Sequence, residues 1–319
     1  MPHPRIEPYA SGLLTVDDGD QIYWETSGNP DGKPVLHLHG GPGSGLGRGG
    51  YRRNFDPERH LIIGIDQRGC GRSRPRAIEA LDRLHLNTTQ RLIRDLEAVR
   101  QHLQVDSWLV TGVSWGSTLA LAYALAVPAR VTQLALVAVT TTSREETQWI
   151  TEGVGRIFPE AWDRFDRASG RRGGERVVEA YARRLAGADP ADRAQAALDW
   201  DEWESTHISL DPLWTPDQRR PDPVQRETFA TLVTHYWAND AFLSGDAAIR
   251  RRVSEIGHIP AVLIHGRHDV SGPAITPWQL HQQWPASRLM IVESEGHGGP
   301  ESMEQLRLAV DAWSATTQP

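Results

Sequence analysis

The chain has 319 residues, 39% of them hydrophobic and 24% charged, with 34 Lys plus Arg against 41 Asp plus Glu. That length supports a sizeable core, and a net charge of −7 excludes the basic field that nucleic-acid binding requires. The single cysteine, Cys70, excludes an intramolecular disulfide framework and a cysteine-based zinc site. No apolar run approaches the roughly 20 residues of a membrane helix. Residues 1–12, MPHPRIEPYASG, lack the apolar centre of a secretory signal. The expectation is a soluble, cytoplasmic protein with no nucleic-acid or membrane partner. A count of 12 Trp is high and needs a structural explanation.

In chain order, residues 12–16 (GLLTV) and 21–27 (QIYWETS) read as strands parted by the turn Asp17-Asp18-Gly19-Asp20. Residues 34–39 form a short apolar strand that runs into the glycine-rich stretch GGPGSGLGRGG. Residues 60–66 read as a strand buried on both faces, being almost continuously apolar. From Thr88 to Leu103 the residues Leu92, Leu96, Val99 and Leu103 recur at three- and four-residue spacing, which predicts an amphipathic helix capped by Asn87 or Thr88. Residues 108–113 predict a strand, 117–127 an apolar helix stopped by Pro128, and 134–139 another strand. Strand, helix and strand at this rhythm predict a parallel sheet wrapped by helices. From about Thr140 to Arg252 the rhythm gives way to helical segments rich in Arg, Ala, Glu and Trp. It resumes with strands at 260–265 and 288–293 and helices at 277–284 and 301–314. A helical insertion over 140–252 is therefore expected within an α/β domain. Six of the tryptophans fall in it: Trp149, Trp162, Trp200, Trp203, Trp214 and Trp237.

Gly112-Val113-Ser114-Trp115-Gly116 fits G-x-S-x-G, with a strand leading in and a helix leading out, as a nucleophile elbow requires. A serine hydroxyl becomes a useful nucleophile only when a base takes its proton, and the base needs an orienting carboxylate. Asp269 follows the strand at 260–265, and His297 follows the strand at 288–293. Both therefore belong to the C-terminal edge of the sheet, where open α/β sheets gather their sites. His39-Gly40-Gly41-Pro42-Gly43 occupies the expected oxyanion-loop position, with the Gly41 and Trp115 amides facing the developing charge. Residues 45–50, GLGRGG, also fit G-x-G-x-x-G, and Asp66 lies downstream as in a dinucleotide fingerprint. The crossover helix that should follow is absent. His37 and His39 share a strand face without a carboxylate or cysteine partner, which fits packing better than a metal site. Neither metal nor cofactor is expected.

Five strings run in an order that resembles the proline iminopeptidase family: residues 39–43 (HGGPG), 66–73 (DQRGCGRS), 112–117 (GVSWGS), 266–269 (GRHD) and Gly296-His297. The resemblance spans essentially the whole chain. It implies an α/β-hydrolase fold, with a mostly parallel central sheet wrapped by helices. Residues 1–139 and 253–319 would form the catalytic domain and 140–252 an inserted helical cap. It also implies a cofactor-free serine aminopeptidase with the triad Ser114, Asp269 and His297, releasing N-terminal proline or another small amino acid from a small peptide or an aminoacyl amide or ester. In that family two cap glutamates hold the substrate's amino end. Glu204, in the pair Trp203-Glu204, resembles the first, whereas the second falls at Val233, which is apolar here. The family's pocket aromatic is replaced by Thr140-Thr141-Thr142, making Thr141 a candidate substrate contact. Trp237 stands where a smaller aromatic is usual, and Ser271-Gly272-Pro273 replaces Val-Cys-Pro after Asp269. An amino-acid amidase or esterase, or a tailoring hydrolase that has left prolyl peptides behind, stays open as an alternative. A non-catalytic binding module on the same fold is a second.

Overall fold

Apolar residues that alternate between two buried faces build the centre of this protein, a computed structural model of which describes residues 1–208, 210 and 222–315. The elements before the helical segment are β1 (Ala10–Thr15), β2 (Gln21–Gly28), β3 (Lys33–Leu38), β4 (His60–Asp66), α1 (Thr89–His102), β5 (Trp108–Val113), α2 (Trp115–Ala126) and β6 (Val131–Val137). Then follow α3 (Arg144–Thr151), α4 (Pro159–Ser169), α5 (Val177–Leu185), α6 (Pro190–His207), α7 (Pro223–Ala238) and α8 (Ile249–Arg252). The chain closes with β7 (Ala261–Gly266), α9 (Ile275–Gln282), β8 (Ser287–Val292) and α10 (Pro300–Ala315). The eight strands form one sheet in the order β1-β2-β4-β3-β5-β6-β7-β8. β2 pairs antiparallel with β1 and β4, and all the other pairings are parallel.

Side chains of the inner strands point alternately to two cores, as the two-residue period of a strand requires. Leu36, Ile63, Val110, Leu134 and Leu263 enter one core together with α1 and α2. Val35, Ile62, Leu109, Ala135 and Val262 enter the other, which α10 closes through Leu306 and Val310. Leu92, Leu96 and Val99 of α1 are buried as their spacing predicts, and Thr88 caps the helix by accepting the Arg91 N–H at 3.2 Å. α2 starts at Trp115, two residues earlier than the apolar pattern suggests, because the turn at Ser114 feeds directly into it. β6 starts at Val131 and ends at Val137; Ala138 takes a left-handed φ of 49° and turns the chain out of the sheet.

Between β6 and β7 the described residues form helices and turns and no strand. Helices α4 to α7 share an apolar cluster in which Phe165 stacks on Tyr181 and Trp203, with centroids 4.6 and 5.0 Å apart. Trp200 meets Trp237 edge-on at 5.7 Å, and Val233 is fully buried in the same cluster. Several of these indole N–H groups find backbone acceptors, as buried tryptophans need. Trp149 donates to Val270 O at 2.8 Å, Trp162 to Thr151 O at 3.0 Å and Trp203 to Ile150 O at 3.0 Å. Trp214 lies outside the described residues. No helix among the described residues is long and apolar enough to cross a membrane.

One buried ion cluster ties the β1–β2 turn to the sheet. The Arg68 side chain, 1% exposed, donates to Asp95 at 2.7 and 2.9 Å, to Asp18 at 2.8 Å and to Asp20 at 2.5 Å. Burial pushes the Asp95 carboxyl up to about 6 even though Arg68 pulls it down. Removing the guanidinium would leave the buried Asp95 without a cation, while Asp20 and Asp18 would keep Arg83 and Arg91. Arg68→Met is therefore expected to lower the unfolding free energy by about 3–5 kcal/mol. Urea denaturation at neutral pH checks this, and a change well below that range contradicts it.

Candidate active site

A turn too tight for side chains on its flanks places Ser114 where β5 meets α2. Ser114 has φ 56° and ψ −123°, a conformation that costs of order 1–3 kcal/mol and persists only where its surroundings impose it. The flanking glycines make it possible. A Cβ on Gly112 would lie 2.2 Å from Gly116 O, and one on Gly116 would lie 2.1 Å from Leu38 O. The turn exposes the Ser114 side chain at the N-terminus of α2, where the helix dipole favours negative charge.

Two loops converge on that hydroxyl. Ser114 Oγ–H donates to His297 Nε2 at 2.9 Å, and His297 Nδ1–H donates to Asp269 Oδ2 at 2.8 Å. The loops meet because Gly266 carries no side chain: a Cβ there would stand 2.0 Å from Gly296 O. Burial alone would raise the Asp269 carboxyl. The charge and hydrogen bond of His297, with His265 and the Gly272 N–H, overcome that and hold it below the usual carboxylate range. Gly272 N–H reaches Asp269 Oδ1 at 2.9 Å. His265 Nδ1 accepts the Val139 N–H at 3.0 Å, so its Nε2–H donates to Gly272 O at 2.6 Å. Burial lowers the His265 pKa against the pull of Asp269.

Gly41 sits opposite Ser114 with φ 114°. A Cβ on it would come within 2.6 Å of Gly43 N, so only glycine lets this loop fold back on itself. Gln67 joins the loop to the serine turn. Its Nε2–H donates to His39 O at 2.9 Å and its Oε1 accepts the Trp115 indole N–H at 2.8 Å. Its backbone N–H donates to His39 Nε2 at 3.1 Å. Asp66, one residue before, holds the middle of the glycine-rich stretch through the Leu46 N–H at 2.6 Å. Its other oxygen takes the Arg72 N–H and side chain at 2.9 and 2.7 Å. One Asp66 oxygen is thus committed to the glycine-rich stretch and the other to Arg72.

Gly41, Ser114, Trp115, Trp237 and His297 line one cavity of about 50 Å³, together with Thr140, Thr142, Glu146, Ile150 and Ser271. That is room for a few water molecules. Of the expected substrate contacts, Trp237 lines it and Glu204, Val233 and Thr141 do not. Glu204 Oε1 accepts the Trp200 indole N–H at 2.9 Å, and Thr141 Oγ–H donates to Glu146 at 2.5 Å. Among the described residues no set of three His, Cys, Asp or Glu side chains is arranged to hold a metal ion.

A family model described as the alpha/beta hydrolase fold matches residues 33–301. A probable proline iminopeptidase of Streptomyces coelicolor is 44% identical over 318 residues, covering 98% of this chain and 97% of that one. The proline iminopeptidase of Neisseria meningitidis is 42% identical and covers 91% of each. That of Arabidopsis thaliana is 41% identical over 93% of this chain and 77% of its own. The chain belongs to the proline iminopeptidase family. Among solved structures, the Mycobacterium smegmatis proline iminopeptidase superposes with a TM-score of 0.64 at 21% identity, covering 96% of this chain and 98% of that one. An Exiguobacterium antarcticum esterase gives 0.61 at 20% identity, covering 96% of this chain and all of that one. These two carry the α/β-hydrolase fold alone.

In this proline iminopeptidase family member, three residues near the site escaped the sequence reading. Gln67 lies inside the distinctive 66–73 string, but its two-sided clamp is visible only once β3 and α2 stand side by side. Glu146 completes a capping box with Ser143 at the start of α3, and the S-x-x-E pattern over 143–146 is the signal that could have flagged it. His207, at the end of α6, is buried with its Nδ1 2.7 Å from Ser271 Oγ. Burial first, then the charge of His297, pushes its pKa from 6.5 down to about 3. Burial, with His39 adding, does the same to His37. The unfolded chain therefore binds protons at these histidines between pH 6.5 and about 3 that the folded chain refuses, so stability is lost as pH falls through that window. His207→Gln is expected to flatten the rise of unfolding free energy with pH across it by close to one proton's worth. Urea denaturation at a series of pH values checks this, and an unchanged slope contradicts a buried, neutral His207.

Proposed function

We propose that the protein is a serine aminopeptidase that releases proline, or another small N-terminal residue, from a peptide or aminoacyl amide. The observation that carries this reading is the Ser114–His297–Asp269 relay of 2.9 and 2.8 Å, opening into a narrow cavity beside Gly41 and Trp115. His297 Nε2 takes the Ser114 proton as Oγ attacks the scissile carbonyl. The Gly41 and Trp115 N–H groups receive the oxyanion, the latter adding the positive end of the α2 dipole. Asp269, kept ionised, stabilises the imidazolium and fixes its orientation. His297 then protonates the leaving amine. Water, deprotonated by the same nitrogen, releases the acyl group as a free amino acid.

In this reading residues 140–252 act as a cap on a catalytic domain made of 1–139 and 253–319. Thr147 and Ile150 of α3 and Trp237 of α7 close the cavity over Ser114, and its small volume selects a small N-terminal residue. A peptide with a free amino end is the partner this reading assigns, in line with relatives named proline iminopeptidase. The compartment it assigns is the cytoplasm, since the single thiol, Cys70, is buried and unpaired and suits a reducing environment.

Ser114→Ala is expected to reduce turnover of prolyl arylamide by about 10⁴-fold or more while leaving the unfolding midpoint near that of the parent. A panel of aminoacyl arylamides and esters measures both rate and preference. Proline or another small residue should lead it. Parent-like turnover by the alanine variant contradicts the mechanism. Hydrolysis of esters with none of any free-amine substrate would instead support an esterase of the same fold.

A further inference from the structure

We propose that Glu146 is a specificity-determining residue that supplies the fixed negative charge against which the substrate's protonated amino end is read. This inference rests on the aminopeptidase reading above and gives its pocket a charge selector. Among the residues lining the cavity, Glu146 is the one carboxylate, and neither Lys nor Arg lines it.

The seat of this carboxylate is built from neutral donors. Oε1 accepts Thr140 Oγ–H at 3.0 Å and Thr276 Oγ–H at 2.8 Å. Oε2 accepts Thr141 Oγ–H at 2.5 Å and the Ser143 N–H at 2.9 Å, and the Thr141 N–H is shared between both oxygens at 3.2 and 3.1 Å. Glu146 is also the third residue of α3, within reach of the positive end of its dipole. These dipoles stabilise an ionised carboxylate without cancelling its charge. No Arg, Lys or His among the described residues forms an ion pair with it. Arg144 and Arg250 in the same neighbourhood are paired with Asp240 and Glu145 instead.

A buried ammonium group needs compensating charge, and Glu146 offers it from the wall shared with Ser114. Its lone pairs are taken by the five donors, so it acts as a charge across the cavity and not as a hydrogen-bond acceptor for the amine. Thr140 and Thr141, which take the place of an apolar pocket, are thereby explained: their hydroxyls hold Glu146. Val233 is buried among apolar neighbours and contributes no charge.

The test compares p-nitrophenyl esters of proline and of cyclopentanecarboxylic acid, which share a ring and differ in the charged nitrogen. Glu146→Gln is expected to lower kcat/KM for the prolyl ester by about 10- to 100-fold and to leave the neutral ester within about threefold. A purely structural role would lower both together. Inhibition by pyrrolidine and by cyclopentanol is the second measurement: Glu146→Gln is expected to weaken inhibition by the protonated amine about 10-fold and to leave that by the neutral alcohol within about threefold. Equal losses on both esters, or an undiminished preference for the prolyl ester with unchanged inhibition by pyrrolidine, overturn the proposal. Parent enzyme that hydrolyses the cyclopentanecarboxyl ester and ignores the prolyl ester overturns the aminopeptidase reading instead.

Discussion

The backbone at Ser114 is the constraint on which the rest of the site depends. A non-glycine residue at φ 56° is held there because α2 approaches β5 and β3 so closely that Gly112 and Gly116 leave no room for a Cβ. The same close approach lifts the hydroxyl above the sheet edge, aims the first turn of α2 at the cavity and sets Trp115 beside Gln67. Gln67 then fixes the His39 carbonyl, and with it the Gly41 loop, relative to the serine. One strained residue is thus connected to the nucleophile position, both amide donors and the loop that carries one of them.

Around this centre the protein separates charges by giving each a different environment. Asp269 is held below the usual carboxylate range because His297 and a backbone N–H offset its burial, while burial lowers the pKa of His265 and His207. His297 is therefore the imidazole placed to exchange a proton with Ser114. Farther out, Arg68 holds three carboxylates under the sheet edge, and Asp66 gives one oxygen to the glycine-rich stretch and the other to Arg72. The aromatic cluster of α4 to α7 absorbs Trp200, Trp203 and Trp237, which explains much of the unusual tryptophan content. Trp237 alone of these reaches the cavity.

Much of the fold was legible because local periodicity and burial agree. The spacing of Leu92, Leu96 and Val99 defines a helix face, and the apolar run 60–66 marks a strand covered on both sides. Ser114, Asp269 and His297 could be paired from sequence because each follows its own strand, and strands of a parallel sheet end at one edge. The substrate wall was harder to read. The sequence offers Thr141 as a substrate contact; in the structure Thr140 and Thr141 hold Glu146, a relation set by tertiary packing with Thr276 of α9. Glu204 accepts the Trp200 indole N–H and does not line the cavity. Such assignments depend on which face of a helix meets the cavity, and the helices concerned are apolar on several faces.

The central claim is that Ser114 becomes acylated by the N-terminal residue of its substrate. Rapid acid quenching during turnover of a prolyl ester, followed by peptide mass spectrometry, tests it directly. The expected result is a prolyl adduct on the peptide containing Ser114, formed faster than it decays. A prolyl adduct on another residue, or turnover that proceeds with no adduct on Ser114 at any quench time, would contradict it.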